Sequence, residues 1–192
     1  MTILRRFRLT GECAPHTCLS RAQPPMPVVP FENLPDSSRV WIFGSDRLLA
    51  EEATTTLLKG VDAHLTDWKA HGEALTVGKQ FRDGRFLVVA VDQSTTGATG
   101  CSIDGLFRVL QGLEQAVGAS MVGGGRVFYR GAEGVVQTTT RAELAGLAAS
   151  GTISKDTVVF DTSITDLGIF RSGFEKRAKE SWIAGLTGLA DG

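Results

Sequence analysis

The residues best suited to chemistry lie around a single cysteine, Cys101, in the segment DQSTTGATGCSID (92–104). The segment leads into a helical pattern, and a helix N-terminus carries partial positive charge and unpaired N–H groups. These features favour the thiolate form of a cysteine placed there. Cys101 is therefore a candidate nucleophile, with His71 as its base and Asp92 or Asp104 to orient the imidazole ring.

The same segment could instead bind a ligand without catalysis. Small residues let backbone N–H groups approach an anion closely, and hydroxyl and carboxylate side chains add polar contacts. The candidate ligand-binding residues are Ser94, Thr95, Thr96, Gly100, Ser102 and Asp104. A purely structural interpretation stays open, in which Ser102 caps the helix, Asp92 forms an Asx turn and Cys101 is buried.

The elements that position these residues follow from the hydrophobic pattern. Apolar runs bounded by turn residues predict strands, and apolar residues three or four apart predict helices. The predicted strands are 39–44, 74–82, 85–92, 126–130, 134–139 and 157–161. The predicted helices are 48–70, capped by Ser45 or Asp46, 103–117, 140–150, opened by a Thr140/Glu143 capping box, and a last one ending near Trp182. Strand 85–92 is apolar on both faces, which predicts a central position in the sheet.

The order of the first six elements is strand, helix, strand, strand, helix, strand. This order predicts an α+β fold with a ferredoxin-like βαββαβ core, two helices covering one face of an antiparallel sheet, and a C-terminal β/α extension. Tracing the chain direction through that core places His71, residues 92–100 and the start of the second helix at one edge.

The chain divides at about residue 30. The segment AQPPMPVVP (22–30) is rich in proline, and no hydrophobic period is sustained before it. Residues 1–30 are therefore predicted to be a disordered arm, or to result from a start assigned upstream of a true start at Met26. Residues 31–192 are predicted to form a single α+β domain.

Composition excludes several classes of function. The net charge of −1 provides no basic footprint for nucleic acid. No apolar run is long enough for a membrane helix or a signal peptide, so the predicted location is cytoplasmic. Three cysteines imply no disulfide framework, and the spacing of Cys13, His16 and Cys18 matches no zinc pattern. No metal and no cofactor are predicted.

Four blocks, SRVWIFGSDRLL, DWKAHG, RFLVVAVDQS and GCSID, resemble a family of bacterial proteins that are often labelled "ABC transporter ATPase". The resemblance runs from about residue 30 to the C-terminus and implies no established mechanism. The label fails a test of the residues, because such an ATPase needs the phosphate-binding motif G-x-x-x-x-G-K-[ST]. Here Glu73 stands where the first glycine is needed, and Gln80 follows the Gly78-Lys79 pair.

Two hypotheses of function follow. The first is a non-catalytic module that binds a small molecule or a partner protein and that could assemble as a homo-oligomer through sheet edges. The second is a cysteine-dependent enzyme that uses Cys101 with His71 and Asp92.

Overall fold

The computed structural model describes residues 28–94 and 96–189 and has an α+β fold with antiparallel sheets. The strands are β1 (Arg39–Gly44), β2 (Lys69–Ala70), β3 (Glu73–Ala74), β4 (Val77–Arg82), β5 (Phe86–Val91), β6 (Arg126–Arg130), β7 (Val136–Thr140), β8 (Val158–Phe160) and β9 (Glu175–Arg177). The helices are α1 (Glu51–Thr66), α2 (Gly100–Val117), α3 (Leu144–Ala149), α4 (Leu167–Gly173) and α5 (Ala184–Thr187). Short 3-10 helices lie at Phe31–Asn33 and Ala178–Glu180.

The strands form two main sheets and one short hairpin. The first sheet has the order β1-β5-β4, and the second has the order β7-β6-β8-β9. The hairpin consists of β2 and β3. The predicted central position of strand 85–92 is confirmed, and Asp83-Gly84 forms the predicted turn between β4 and β5, with a φ of 53° at Asp83.

The first sheet is buried on both faces because its side chains are apolar on both. Leu87, Val89 and Val91 of β5 pack with α1 and α2. The alternate residues Phe86, Val88 and Ala90 pack with residues of the second sheet and α4. All six β5 residues are fully buried, as expected of a strand between two packed layers.

The second sheet covers the face of the first sheet that the two long helices leave free. Phe128 and Phe160 point toward the first sheet and meet Phe86 at ring-centroid distances of 5.0 Å each. Val127 and Val159 point the other way, toward Leu144 of α3 and residues near the C-terminus. The result is four layers in the order helices, sheet, sheet, helices.

The ferredoxin-like core is not confirmed, although its first three strands have the expected order. That fold requires β6 beside β1, but β6 pairs with β7 and β8 in the second sheet. Another segment partly occupies the edge of β1. The N–H of Val40 donates to the carbonyl of Thr165 at 2.9 Å, and the N–H of Leu167 donates to the carbonyl of Ser38 at 2.9 Å. Because β6 lies in the second sheet, its apolar residue Phe128 is buried between the two sheets rather than beside β1 in the first sheet.

Several predicted boundaries need correction. Helix α1 begins after Ala50, without a side-chain cap, so neither Ser45 nor Asp46 caps it. The carboxylate of Glu143 accepts from the N–H of Thr140 at 2.9 Å, but the Thr140 side chain makes no reciprocal cap. The predicted capping box is therefore only half formed.

The predicted N-terminal arm falls almost wholly on residues 1–27, which lie outside the described residues. Val28 forms a bridge with Val77, and the N–H of Val29 donates to the Val77 carbonyl at 2.8 Å. The described chain therefore joins the first sheet slightly before residue 31. Among the described residues, no helix is long and apolar enough to cross a membrane.

Candidate functional site

The end of α1 and the start of α2 lie side by side, as the chain tracing predicted. The indole N–H of Trp68 donates to the carbonyl of Ser102 at 2.9 Å, and this bond is buried. His64 packs against the Trp68 ring at a centroid distance of 5.7 Å. The histidine at this contact is therefore His64, not the predicted His71.

The hydroxyl group of Ser102 is used by the helix itself. Thr99 is the N-cap of α2, and its Oγ1 accepts from the N–H of Ser102 at 3.3 Å. The Oγ of Ser102 accepts in return from the N–H of Thr99 at 2.9 Å. Ser102 is therefore not the cap but its partner, three residues into a reciprocal capping box.

The carboxylates of this segment also make local contacts. Asp92 Oδ1 accepts from the N–H of Ser94 at 2.8 Å, which is the Asx turn of the structural interpretation. Asp104 is exposed, and Arg108 donates to its backbone carbonyl at 3.2 Å rather than to its carboxylate. Thr96 is half-buried.

Cys101, His71 and Gly100 are exposed, and Thr95 lies outside the described residues. His71 occupies the turn between β2 and β3, with a φ of 53°. Within the described chain no hydrogen bond joins Cys101, His71 and Asp92. The structure brings their elements to one edge of the sheet but shows no catalytic triad, so these assignments stay predictions.

Cavities in the described part of the chain are lined by segments other than 92–104. One of these cavities follows the outer edge of β1. It has a volume of about 290 Å³. Its lining combines most of β1 with one residue of α2, the loop before β6, the start of β6 and the loop after β8: 40–44, Phe107, 121–125, Arg126, Phe128 and 162–165. We call this cavity the β1 groove.

Unpaired backbone groups of β1 face the β1 groove. The N–H of Ser45 donates to Arg85, at the start of β5, at 2.9 Å, whereas the N–H of Val40 points away from β5 to Thr165. Successive residues of a strand point their backbone groups to opposite sides, so Ile42 and Gly44 also face away from β5. Among residues 28–94 and 96–189, neither of their N–H groups has a hydrogen-bond partner.

The edge stays open because the loop after β8 turns away from it. Thr165 pairs with Val40, and the preceding residues could continue that pairing toward Ile42. Instead, Asp161 Oδ1 accepts from the N–H of Ser163 at 3.0 Å and from its hydroxyl. Asp161 and Ser163 thus form an Asx turn, and in the described chain the loop makes no backbone hydrogen bond to β1 beyond Val40.

Apolar side chains flank the open edge on both sides. Phe107 packs edge-to-face on Phe43 at a centroid distance of 5.2 Å, on the side of α2. On the side of the second sheet, the ring of Phe128 lies over Gly44, so closely that a Cβ atom there would come within 2.3 Å of it. A side chain at position 44 would therefore collide with the wall of the β1 groove.

Two carboxylates anchor the loop that closes one end of the β1 groove. Glu114 Oε1 accepts from the N–H groups of Met121 and Val122 at 2.6 and 2.8 Å. Burial raises the pKa of Glu114, but the N–H groups of Val122 and Met121 outweigh it and hold that pKa below its ordinary value. Asp46 Oδ1 accepts from the N–H of Ser120 at 3.0 Å.

Arg126 is the cationic group of the β1 groove. Its Nη1 donates to the carbonyl of Gly123 at 3.0 Å, so the guanidinium lies against the glycine loop Gly123–Gly125. Among the described residues it has no ion-pair partner within 4.0 Å. Burial raises the pKa values of Asp46 and Glu114, hydrogen bonds from backbone N–H groups outweigh it, and the charge of Arg126 adds a smaller lowering.

The β1 groove was not predicted from the sequence, although the sequence contains two signals for it. The run GGGR (123–126) stands directly before a strand, and FDTS (160–163) repeats the strand-Asp-Ser pattern of VDQS (91–94). Neither signal identifies which sheet edge is left unpaired, because that depends on the placement of β6.

Comparisons with protein-family models, with curated proteins and with solved structures found no match. The resemblance noted from the sequence therefore stays a prediction. Within ranges 28–94 and 96–189, no three histidine, cysteine or acidic side chains lie close enough together to hold a metal ion.

Proposed function

We propose that this protein is a non-catalytic binding module that takes up an extended segment of a partner protein along the β1 groove. The observation that carries the proposal is the pair of unpaired N–H groups, those of Ile42 and Gly44, on the floor of a cavity of about 290 Å³. Gly44 is buried, and a buried N–H without an acceptor is costly. An occupant that accepts from it removes that cost.

An extended peptide matches the chemistry of the open edge. A strand edge presents N–H and C=O groups in alternation, which is the pattern that the backbone of another strand completes. Each added hydrogen bond contributes about 0.5–1.5 kcal/mol. A bound peptide would place alternate side chains against Phe107 on one side and Phe128 on the other, so alternate apolar residues are favoured.

The groove accommodates a single peptide better than a second copy of this chain. The open edge of β1 lies between loop 121–125 and loop 162–165, which both line the β1 groove. Two such recessed edges cannot approach each other closely enough to pair. A homo-oligomer through β1 is therefore disfavoured.

The cysteine-dependent enzyme is the second candidate, favoured by the exposure of Cys101. If His71 activates the thiol, His71→Ala must slow alkylation of Cys101 by iodoacetamide in the Cys13→Ser, Cys18→Ser background. We expect rates within about twofold of each other, because no hydrogen bond joins the two side chains in the described chain. A tenfold slower rate would support the enzyme instead.

A random heptapeptide library displayed with free C-termini is the probe for the β1 groove. We expect selection on the folded protein to enrich peptides with apolar residues at alternate positions. A selected peptide should shield the amide protons of Ile42 and Gly44 from exchange with solvent. Failure to enrich any peptide, or binding that leaves both amides unprotected, contradicts the proposal.

A further inference from the structure

We propose that the β1 groove recognises a peptide by its C-terminal carboxylate, which is bound by the backbone of Gly123–Gly125 and the guanidinium of Arg126. This inference rests on the proposed function and specifies which part of a partner protein enters the groove. Three features of the groove support it: its closed end beyond Gly44, the charge of Arg126 and the free N–H groups of its glycine loop.

The glycine loop closes the β1 groove beyond the Gly44 end of β1. The N–H of Asp46 donates to the carbonyl of Ser120 at 3.0 Å, which fixes the start of the loop there. At the far side of the loop, Phe128 of β6 covers Gly44. At the opposite end of the groove, the carbonyl of Thr165 accepts from the N–H of Val40. Because the groove is closed beyond Gly44, it admits the end of a chain there more readily than a chain that passes through.

The charge at the closed end is complementary to a carboxylate. Arg126 is half-buried, has only the Gly123 carbonyl as a hydrogen-bond partner in the described chain, and keeps its remaining N–H groups for an anion. Asp46 and Glu114, the carboxylates that anchor the loop at this end, already accept from backbone N–H groups of 120–122. A guanidinium and a carboxylate form charge-assisted hydrogen bonds, which are roughly twice as strong as neutral ones.

The backbone of the glycine loop adds donors to the same place. Gly123, Gly124 and Gly125 are exposed, and none of their N–H groups has a partner among the described residues. A Cβ at Gly124 would meet no atom within 4 Å, so the space beside it is open. Successive free N–H groups form an anion-binding concavity that is suited to a chain terminus.

These constraints fix the direction of the bound peptide. With its carboxylate at the glycine loop, the peptide runs parallel to β1 and turns outward to solvent before Val40, where Thr165 is already paired with β1. A cavity of about 290 Å³ lies at the small end of the range of ligand pockets, so it admits only a short segment. The recognised unit is therefore a short C-terminal segment with apolar side chains that reach Phe107 or Phe128.

The test compares a selected heptapeptide as its free acid and as its C-terminal amide. We expect the amide to bind at least about tenfold more weakly, because it lacks the charge that pairs with Arg126. Arg126→Gln should weaken binding of the acid by a similar factor and leave binding of the amide within about twofold. The control Arg177→Gln, at an exposed arginine outside the groove that pairs with Asp156, should change neither.

The outcomes separate the two proposals. Equal binding of acid and amide, with Ile42 and Gly44 still protected, overturns carboxylate recognition and leaves the peptide-binding function in place. Carboxylate recognition by Arg126 is also overturned if the amide binds more weakly than the acid and Arg126→Gln leaves this difference unchanged. Another cation then binds the carboxylate. Loss of Ile42 and Gly44 protection with both peptides overturns the peptide-binding function itself.

Discussion

Replacing Ser163 with tryptophan should weaken binding of a selected heptapeptide by about fifty-fold. Ser163 is exposed and lines the β1 groove, so an indole at this position fills space that the peptide needs. The lost burial and the displaced hydrogen bonds together reduce the binding free energy by about 2–3 kcal/mol, which corresponds to a roughly fifty-fold weaker affinity. The N–H of Ser163, which holds the Asx turn with Asp161, is present in tryptophan too. Affinity is measured by isothermal titration calorimetry.

Ser94→Trp provides the matched control. Ser94 is also exposed and also donates its N–H to an aspartate two residues earlier, Asp92, at 2.8 Å. The two variants place the same side chain in the same kind of turn at two different sites, although Ser163→Trp also removes the hydroxyl bond to Asp161. We expect Ser94→Trp to change affinity by less than about twofold. If Ser94→Trp weakened binding and Ser163→Trp did not, the peptide would bind at segment 92–104 and not in the β1 groove.

Phe86→Ala should lower the free energy of unfolding by about 3–5 kcal/mol. Phe86 is fully buried between the two sheets, and its ring lies 5.0, 5.0 and 5.1 Å from those of Phe128, Phe160 and Phe174. Its removal leaves a cavity where the layers meet. Because one of these partners, Phe128, is also a wall of the β1 groove, peptide binding should weaken as well.

The control for this variant is Phe81→Ala, on β4 of the same sheet. Phe81 is only half-buried, so its truncation removes less apolar surface from contact. We expect it to lower the free energy of unfolding by less than half as much, measured by urea denaturation. A loss below about 1.5 kcal/mol for Phe86→Ala would mean that the two sheets are not tightly packed there.

The first sheet was predictable because its pattern allows one arrangement. The run 86–91 is apolar at every position, which places β5 between two covered faces, and Asp83-Gly84 sets its register with β4. The placement of β6 was not predictable in the same way. Val127, Phe128 and Tyr129 are all apolar or aromatic, so the pattern requires two buried faces but does not say which sheet supplies them.

The candidate site depends on that unpredicted choice. If β6 paired with β1, Ile42 and Gly44 would have backbone partners and the β1 groove would not exist. The sequence correctly indicated a strand-Asp-Ser pattern at 91–94 and at 160–163, but only the structure shows that the second turn leaves a sheet edge open. The predicted site at Cys101 lies where the end of α1 meets the start of α2. The polar side chains there, such as Trp68 and Ser102, mostly form hydrogen bonds with backbone groups.

The most direct test of the peptide-binding proposal is amide hydrogen exchange by NMR, with and without a selected heptapeptide. Without peptide, we expect the amides of Trp41 and Phe43, which face β5, to be more strongly protected than those of Ile42 and Gly44, which have no acceptor in the described chain. Peptide should slow exchange at Ile42 and Gly44 at least about tenfold and leave Trp41 and Phe43 unchanged. Protection confined to 92–104, or none along β1, would contradict strand addition.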